Sequence, residues 1–325
     1  LLVILILSCN TKPESTGLEG SVLFIVDELD RPIVRSTFEE AFGTLIHTPQ
    51  PETQFTMYWE DGATLAEKTR APLIIFAADL SGTGPTVKLL KSMLTEDVMK
   101  GVNEGDFVIF KRDNPWAQPQ LLLILVGRNK KELGVNVDEW SDSLLKWSYD
   151  FEIQRITNML YEKKEQKSLS DDLSGKYGFS VRIQHDYIVS QENDSLNYLR
   201  LIRHYPERWL TIAWGDMQDE AMFDTEFILN YRKKIGNSFL DPVMVYDEKY
   251  SSIQSSISGM DAKLVRGLWA TQDPTGGGPF FSYGYFDQNQ SRFYLIDGAV
   301  FAPGEQKVSY IWQLDAMANT FKKIN

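Results

Sequence analysis

Three short, almost uninterrupted apolar runs in the first half of the chain most constrain how it can fold. Residues 21–27 (SVLFIVD), 71–78 (APLIIFAA) and 121–126 (LLLILV) each read as a buried strand. Helical patterns lie between and after them. Ser36-Thr37-Phe38-Glu39 fits a capping box, with Phe38, Phe42 and Leu45 on one face. Gly84-Pro85 predicts the start of a helix whose apolar stripe is Val87, Leu90, Leu94 and Val98. A fourth strand is expected at 107–110, and Trp140, Leu144, Trp147 and Phe151 mark a long helix. Strand and helix in this order make an α/β layer.

A chain of 325 residues is long enough for two such bodies. The charged, Ser-rich stretch 161–175 marks the expected boundary, giving domains at 21–165 and 166–325. In the second, Phe179, Val181 and Ile183 alternate with Ser180 and Arg182 as on a half-buried strand. Strands are expected at 198–204, 209–214, 243–246, 263–269, 280–286 and 292–301, the last two joined by a polar turn at 287–291. Asp224 is placed to cap a helix with Ile228, Tyr231 and Ile235 inside, and a final helix carries Tyr310, Leu314, Met317 and Phe321 inward. The expected fold class is α/β (α+β), with two mixed-sheet domains.

The chain opens LLVILILSCN, an apolar run too short for a spanning helix, which needs about 20 residues. With no initiating Met and no leading Lys or Arg, residues 1–9 read as a signal peptide whose basic start is missing. Ile6-Leu7-Ser8-Cys9 resembles the bacterial lipobox, which implies acylation of Cys9 and a membrane as partner through that lipid. Several acyl chains hold a protein durably where one binds marginally. Residues 10–20 (NTKPESTGLEG) read as a tether with a reach of roughly 15–20 Å. Asn10, rather than Asp, favours the outer membrane. One cysteine also means no disulfide framework.

Several motifs resemble those of a family of uncharacterised Bacteroidetes lipoproteins, carried as a domain of unknown function. They are Arg266-Gly267-Leu268-Trp269, Gly277-Gly278-Pro279-Phe280-Phe281-Ser282-Tyr283, Asp297-Gly298-Ala299-Val300-Phe301-Ala302-Pro303, and Tyr310 with Gln313-Leu314. The turn Asn114-Pro115-Trp116-Ala117-Gln118-Pro119-Gln120 matches its other hallmark. The second half also resembles the Mog1/PsbP-like α/β/α sandwich, with Tyr177 to Ser180 matching its opening and Gln184 and Asp186 departing from it. That resemblance implies non-catalytic assembly or binding, although a fold alone does not fix a function.

The net charge of −12 argues against nucleic acid as a partner. His47, His185 and His204 are scattered, without HExxH or CxxC, so no metal site and no cofactor is expected. Ser81-Gly82-Thr83-Gly84-Pro85 resembles an anion nest but lacks the ending of a P-loop, and reads as a strand-to-helix turn. Gly276-Gly277-Gly278-Pro279 reads as a connector that could also let a ligand approach the backbone. Trp116, Gln118, Trp269 and Tyr283 are the candidates for a binding surface, against the alternative that the aromatics are packing residues. Asp142-Ser143-Leu144 and Asp194-Ser195-Leu196 resemble O-glycosylation sites of Bacteroidetes envelope proteins, with Ser195 the better placed. Together these expectations describe a lipid-anchored envelope protein, with no catalytic residue named, that binds a protein or glycan partner. The alternative is an envelope hydrolase using a carboxylate pair.

Overall fold

The computed structural model describes residues 12–162, 164–220, 223–238, 243–271 and 276–324, and only the backbone of 243–249. Cys9, the residue expected to be lipidated, lies outside the described residues. The chain divides into two compact units, Leu1–Thr44 with Phe55–Phe151, and Leu45–Gln54 with Glu152–Asn325.

Unit 1 contains β1 (Ser21–Ile25) and α1 (Arg31–Phe42). The short pair β2 (Leu45–Ile46) and β3 (Glu52–Thr53) leaves for unit 2. Unit 1 resumes with β4 (Thr56–Glu60), α2 (Leu65–Lys68), β5 (Leu73–Asp79), α3 (Pro85–Met93), α4 (Glu96–Glu104), β6 (Ile109–Asp113) and β7 (Leu121–Gly127). The division between the units falls inside α5 (Lys130–Tyr161), ahead of the 161–175 stretch chosen from the sequence.

The sheet order is β4-β1-β5-β7-β6, parallel except for β6. Its central strands are apolar on both faces because both are covered. Leu23, Ile25, Ile74 and Phe76 pack with Val87 and Leu90 of α3. On the other face Phe24 stacks on Phe38 of α1 at 4.8 Å and on Trp59 at 4.6 Å.

Two helices differ from expectation. The first begins at Arg31 with Pro in its first turn, so Ser36 is interior and Leu45 lies beyond the helix, in β2. The second breaks at Leu94, because the Thr95 hydroxyl accepts the Val98 N–H and starts a new helix.

The supposed tether is also partly structure. Ser15 N–H donates to Gln118 O at 3.2 Å, Thr16 N–H to Arg70 O at 2.8 Å, and Gln118 N–H to Pro13 O at 2.9 Å. Unpaired backbone groups beside the turn accept this extended segment.

Unit 2 adds α6 (Lys167–Tyr177), β8 (Phe179–Ser180), β9 (Ile188–Asn193), β10 (Tyr198–Arg203), β11 (Glu207–Asp216) and α7 (Thr225–Gly236). The long strands β12 (Val243–Ile257), β13 (Met260–Thr271), β14 (Gly277–Asp287) and β15 (Arg292–Phe301) follow, then α8 (Val308–Ala318) and β16 (Lys322–Lys323). Seven antiparallel strands form the sheet β12-β13-β14-β15-β11-β10-β9. Alternation along its strands separates two cores. Leu264, Phe281, Tyr283 and Ile296 face α6 and α8, while Val265, Trp269, Phe280 and Leu295 face α7. This is an α/β/α sandwich.

The excursion 45–54 is integral to it. Ile46 joins the α8-side core, and the Trp312 indole donates to Gln54 O at 3.0 Å. Glu52 accepts the N–H groups of Lys307 at 2.8 Å and Val308 at 2.9 Å, capping α8 from a distant part of the chain.

Candidate functional site

In open α/β sheets ligands settle outside the carboxyl ends of the strands, where the strand order changes direction. In unit 1 that point lies between β1 and β5. Three buried carboxylates, Asp27, Asp30 and Asp79, collect there. Asp27 Oδ1 accepts the Thr86 N–H at 2.8 Å, in the first turn of α3, and Oδ2 accepts the Val87 N–H at 3.4 Å. Asp79 Oδ1 accepts the Ser81 N–H at 2.8 Å and its hydroxyl at 2.7 Å. Asp30 Oδ2 accepts the Asp79 N–H at 3.1 Å. Burial, reinforced by the charge on Asp79, raises the Asp30 carboxyl above the usual carboxylate range, against the pull of the Asp79 N–H and Lys130.

The anion position at this helix start is therefore held by Asp27 itself. A Cβ on Gly84 would sit 2.0 Å from Asp27 Oδ2, so the backbone closes directly over that carboxylate. The 81–85 run is a strand-to-helix turn whose nest is filled from within. Among the described residues no group of three or more His, Cys, Asp or Glu side chains is suited to a metal.

Unit 2 offers an open place instead. β14 pairs with β13 as far as Gly277, opposite Ala270, but with β15 only as far as Phe280, opposite Ala299. β15 continues along β11 to Phe301. The β14–β15 ladder thus ends before β14 does, where Pro279 has no N–H to extend it, leaving a notch at the end of the sheet while Gly278 still lies against Val300 O. A cavity of about 520 Å³ occupies this notch, lined by Trp269, Gly277, Gly278, Phe301, Pro303 and Lys307 among others. A second, of about 530 Å³, meets it along Phe301, Pro303 and Glu305 and reaches His204 and Tyr205. Tyr205, at the β10–β11 turn, is 94% exposed with φ +58°.

Trp269 is 4% exposed and tilts against Trp209 at 5.1 Å. Its indole N–H has no hydrogen-bond partner among the described residues. A Cβ on Gly278 would lie 3.5 Å from that nitrogen and 2.0 Å from Val300 O, so only a glycine fits between the buried indole edge and the Val300 carbonyl. A buried donor left unpaired costs free energy.

The residues expected to form one aromatic surface are not brought together. Tyr283 is buried on the α8 side of the sheet, opposite in facing to Trp269, and its hydroxyl donates to Asp315 Oδ1 at 2.7 Å. Trp116, in unit 1, is half-buried against the β5–β7 core. Gln118 has an exposed side chain and works through its backbone, pairing with 13–15.

The turn around these two is organised by Gln120, a residue of the motif that was not named among the candidates. Gln120 Oε1 accepts the N–H groups of Trp116 and Ala117, both at 3.0 Å, and its Nε2 donates to Thr69 O at 2.7 Å and Ala71 O at 2.6 Å. A buried glutamine beside a Trp-Ala-Gln-Pro turn was the available signal.

Ser195 is exposed in the β9–β10 turn, whereas Ser143 lies within α5. His185 and His204 are exposed; His47 is half-buried, and burial with the nearby Arg266 lowers its pKa.

Residues 166–320 match the family described as Domain of unknown function (DUF4837). No curated protein sequence matches the chain. Among solved structures, the Saccharomyces cerevisiae Ran-binding protein Mog1p is 9% identical with a TM-score of 0.32, over 46% of this chain and 91% of that one. LpqN, described as involved in cell envelope biogenesis of Mycobacterium tuberculosis, is 10% identical with a TM-score of 0.30, over 45% of this chain and 83% of that one.

Proposed function

We propose that this chain is a cell-envelope protein, fastened to a membrane by acyl chains on Cys9, whose second unit binds a protein or glycan partner without catalysis. The lipobox supports the anchor, and among the described residues no helix is long and apolar enough to cross a membrane. One observation carries the binding site: the buried indole N–H of Trp269, without a partner among the described residues, at the wall of a cavity where the β14–β15 ladder ends. Ser195 stands accessible as an acceptor for glycosylation.

The hydrolase reading finds a candidate pair in Asp30 and Asp79. Their contacts, however, run to the Asp79 N–H, the Ser81 N–H and the Ser81 hydroxyl, which is work of tying the start of α1 to the end of β5 and shaping the turn that follows.

The anchor is tested by labelled fatty acid, which the native chain takes up and a Cys9→Ser chain does not; uptake by both would remove it. The notch is tested by a photo-crosslinker replacing Pro303 in the native envelope. One stoichiometric adduct is expected, weakened about tenfold by Trp269→Phe. Equal adducts from both chains would overturn the site.

A further inference from the structure

We propose that the amino-terminal end of unit 1's parallel sheet is a membrane-contact face that lies on anionic headgroups. This rests on acylation of Cys9 and adds to it which surface meets the lipid.

The argument begins with distance along the chain. Pro13 is pinned by Gln118 N–H, and Thr16 by Arg70 O. Pro13 is four positions after Cys9, and a fully extended chain spans about 3.5 Å per residue, so the Pro13 Cα lies within about 14 Å of the Cys9 Cα. That length leaves no room for a free-swinging tether. The surface around Gln118 is held next to the bilayer whenever the anchor is inserted.

What that surface carries suits the place. The strand starts Ser21, Leu73 and Leu121 share this end, and β6 brings Asp113 to the same edge beside Leu121. Lys12 donates to Asn114 O, and Arg70 Nε donates to Glu14 O at 2.9 Å, which sets both cations around the 114–120 turn. Lys111 and Arg112 are exposed on β6, with no ion pair among the described residues. The acids there are Glu14, Glu19 and Asp113, so four cations meet three anions in a chain whose total is −12.

Apolar groups accompany them. Leu18 is 69% exposed, and Trp116 sits half-buried in the turn. Trp belongs at the headgroup level, where its ring is apolar and its N–H polar, and each Lys or Arg near an anionic surface adds about a fivefold gain in binding.

The test uses the acylated protein in vesicles of phosphatidylglycerol and brominated phosphatidylcholine, with mass spectrometry first establishing the acyl chains on Cys9. The emission lost on Trp116→Phe identifies the Trp116 share, and at least half of it is expected to be quenched by bromine. Because Trp116 packs against the core, a second variant on exposed strand positions accompanies it. Lys111→Gln with Arg112→Gln should reduce quenching, and in the unacylated Cys9→Ser chain should weaken vesicle binding about twenty-fivefold. An acylated chain whose Trp116 stays unquenched, or whose quenching and binding ignore the loss of both cations, overturns the contact face and leaves the anchor standing. A chain without acyl groups on Cys9 overturns the anchor and this proposal together.

Discussion

The hydroxyl of Tyr283 donates to Asp315 Oδ1 at 2.7 Å, joining the middle of the large sheet to α8. Both residues are buried, and Arg266 Nη2 lies 3.6 Å from the other carboxylate oxygen. Arg266 reaches on to Gln54 Oε1 at 3.1 Å, so one polar chain runs through motifs far apart in sequence. Tyr283→Phe should lower stability by about 1.5 kcal/mol, the usual worth of a hydrogen bond to a charged group. Asp315→Ala should cost about 3 kcal/mol, because it takes the carboxylate from beside a largely buried guanidinium. Urea unfolding, followed by circular dichroism, checks both; equal midpoints for wild type and Tyr283→Phe would make the bond idle.

Glu52 caps a helix that begins 256 residues later, through the N–H groups of Lys307 and Val308. Glu52→Ala should destabilise by about 1 kcal/mol, and Glu52→Gln by less because it keeps the acceptor oxygen. The difference should shrink in high salt for the charge component only. Denaturation midpoints at low and high salt measure it.

Gln120 satisfies two donors and two acceptors of the backbone with one side chain. Gln120→Ala leaves those groups unpaired and should cost about 3 kcal/mol. Faster hydrogen exchange should follow at Trp116 and Ala117, whose amides lose their acceptor. Unchanged protection there would refute the account.

Asp30 gives a pH signature with a definite sign. Its carboxyl is raised by burial and the neighbouring Asp79, so between the ordinary carboxylate range and that raised value the folded chain holds more protons than the unfolded one. The stabilisation from this group is present in full below the unfolded pKa and is lost as pH rises through the folded pKa. Asp30→Asn keeps an oxygen for the Asp79 N–H and removes the charge. It should therefore raise the unfolding midpoint at pH 7, with the gain vanishing below about pH 4. A variant less stable than wild type at pH 7 would show that the Lys130 attraction prevails.

Local signals in the sequence were read well where one residue decides an outcome. Asp224 accepts the Phe227 N–H at 2.8 Å and starts α7 as its position suggested. The three apolar runs are central strands because nothing but two-sided burial suits them. What failed was the competition between local signals. Ser36 offers a cap, but the Asp30-Arg31-Pro32 start lies upstream and wins. Facing was harder still. Trp269 and Tyr283 lie on consecutive strands, and their opposite sides emerge only from the pairing of Trp269 with Gly278 and of Leu264 with Tyr283. The notch itself depends on where a ladder stops, and Glu52 on a partner about three quarters of the sequence away. Neither leaves a mark within a short window.

The placement of 45–54 bears on how this protein can be dissected. The recognised domain runs from 166 to 320, yet a fragment cut at those borders would leave behind Ile46, the cap from Glu52 and the carbonyl that receives the Trp312 indole. Homology boundaries and the physical module do not coincide here. A self-sufficient fragment must be spliced from two stretches of the polypeptide, and insolubility of the shorter piece would speak of a missing part rather than of an unstable fold.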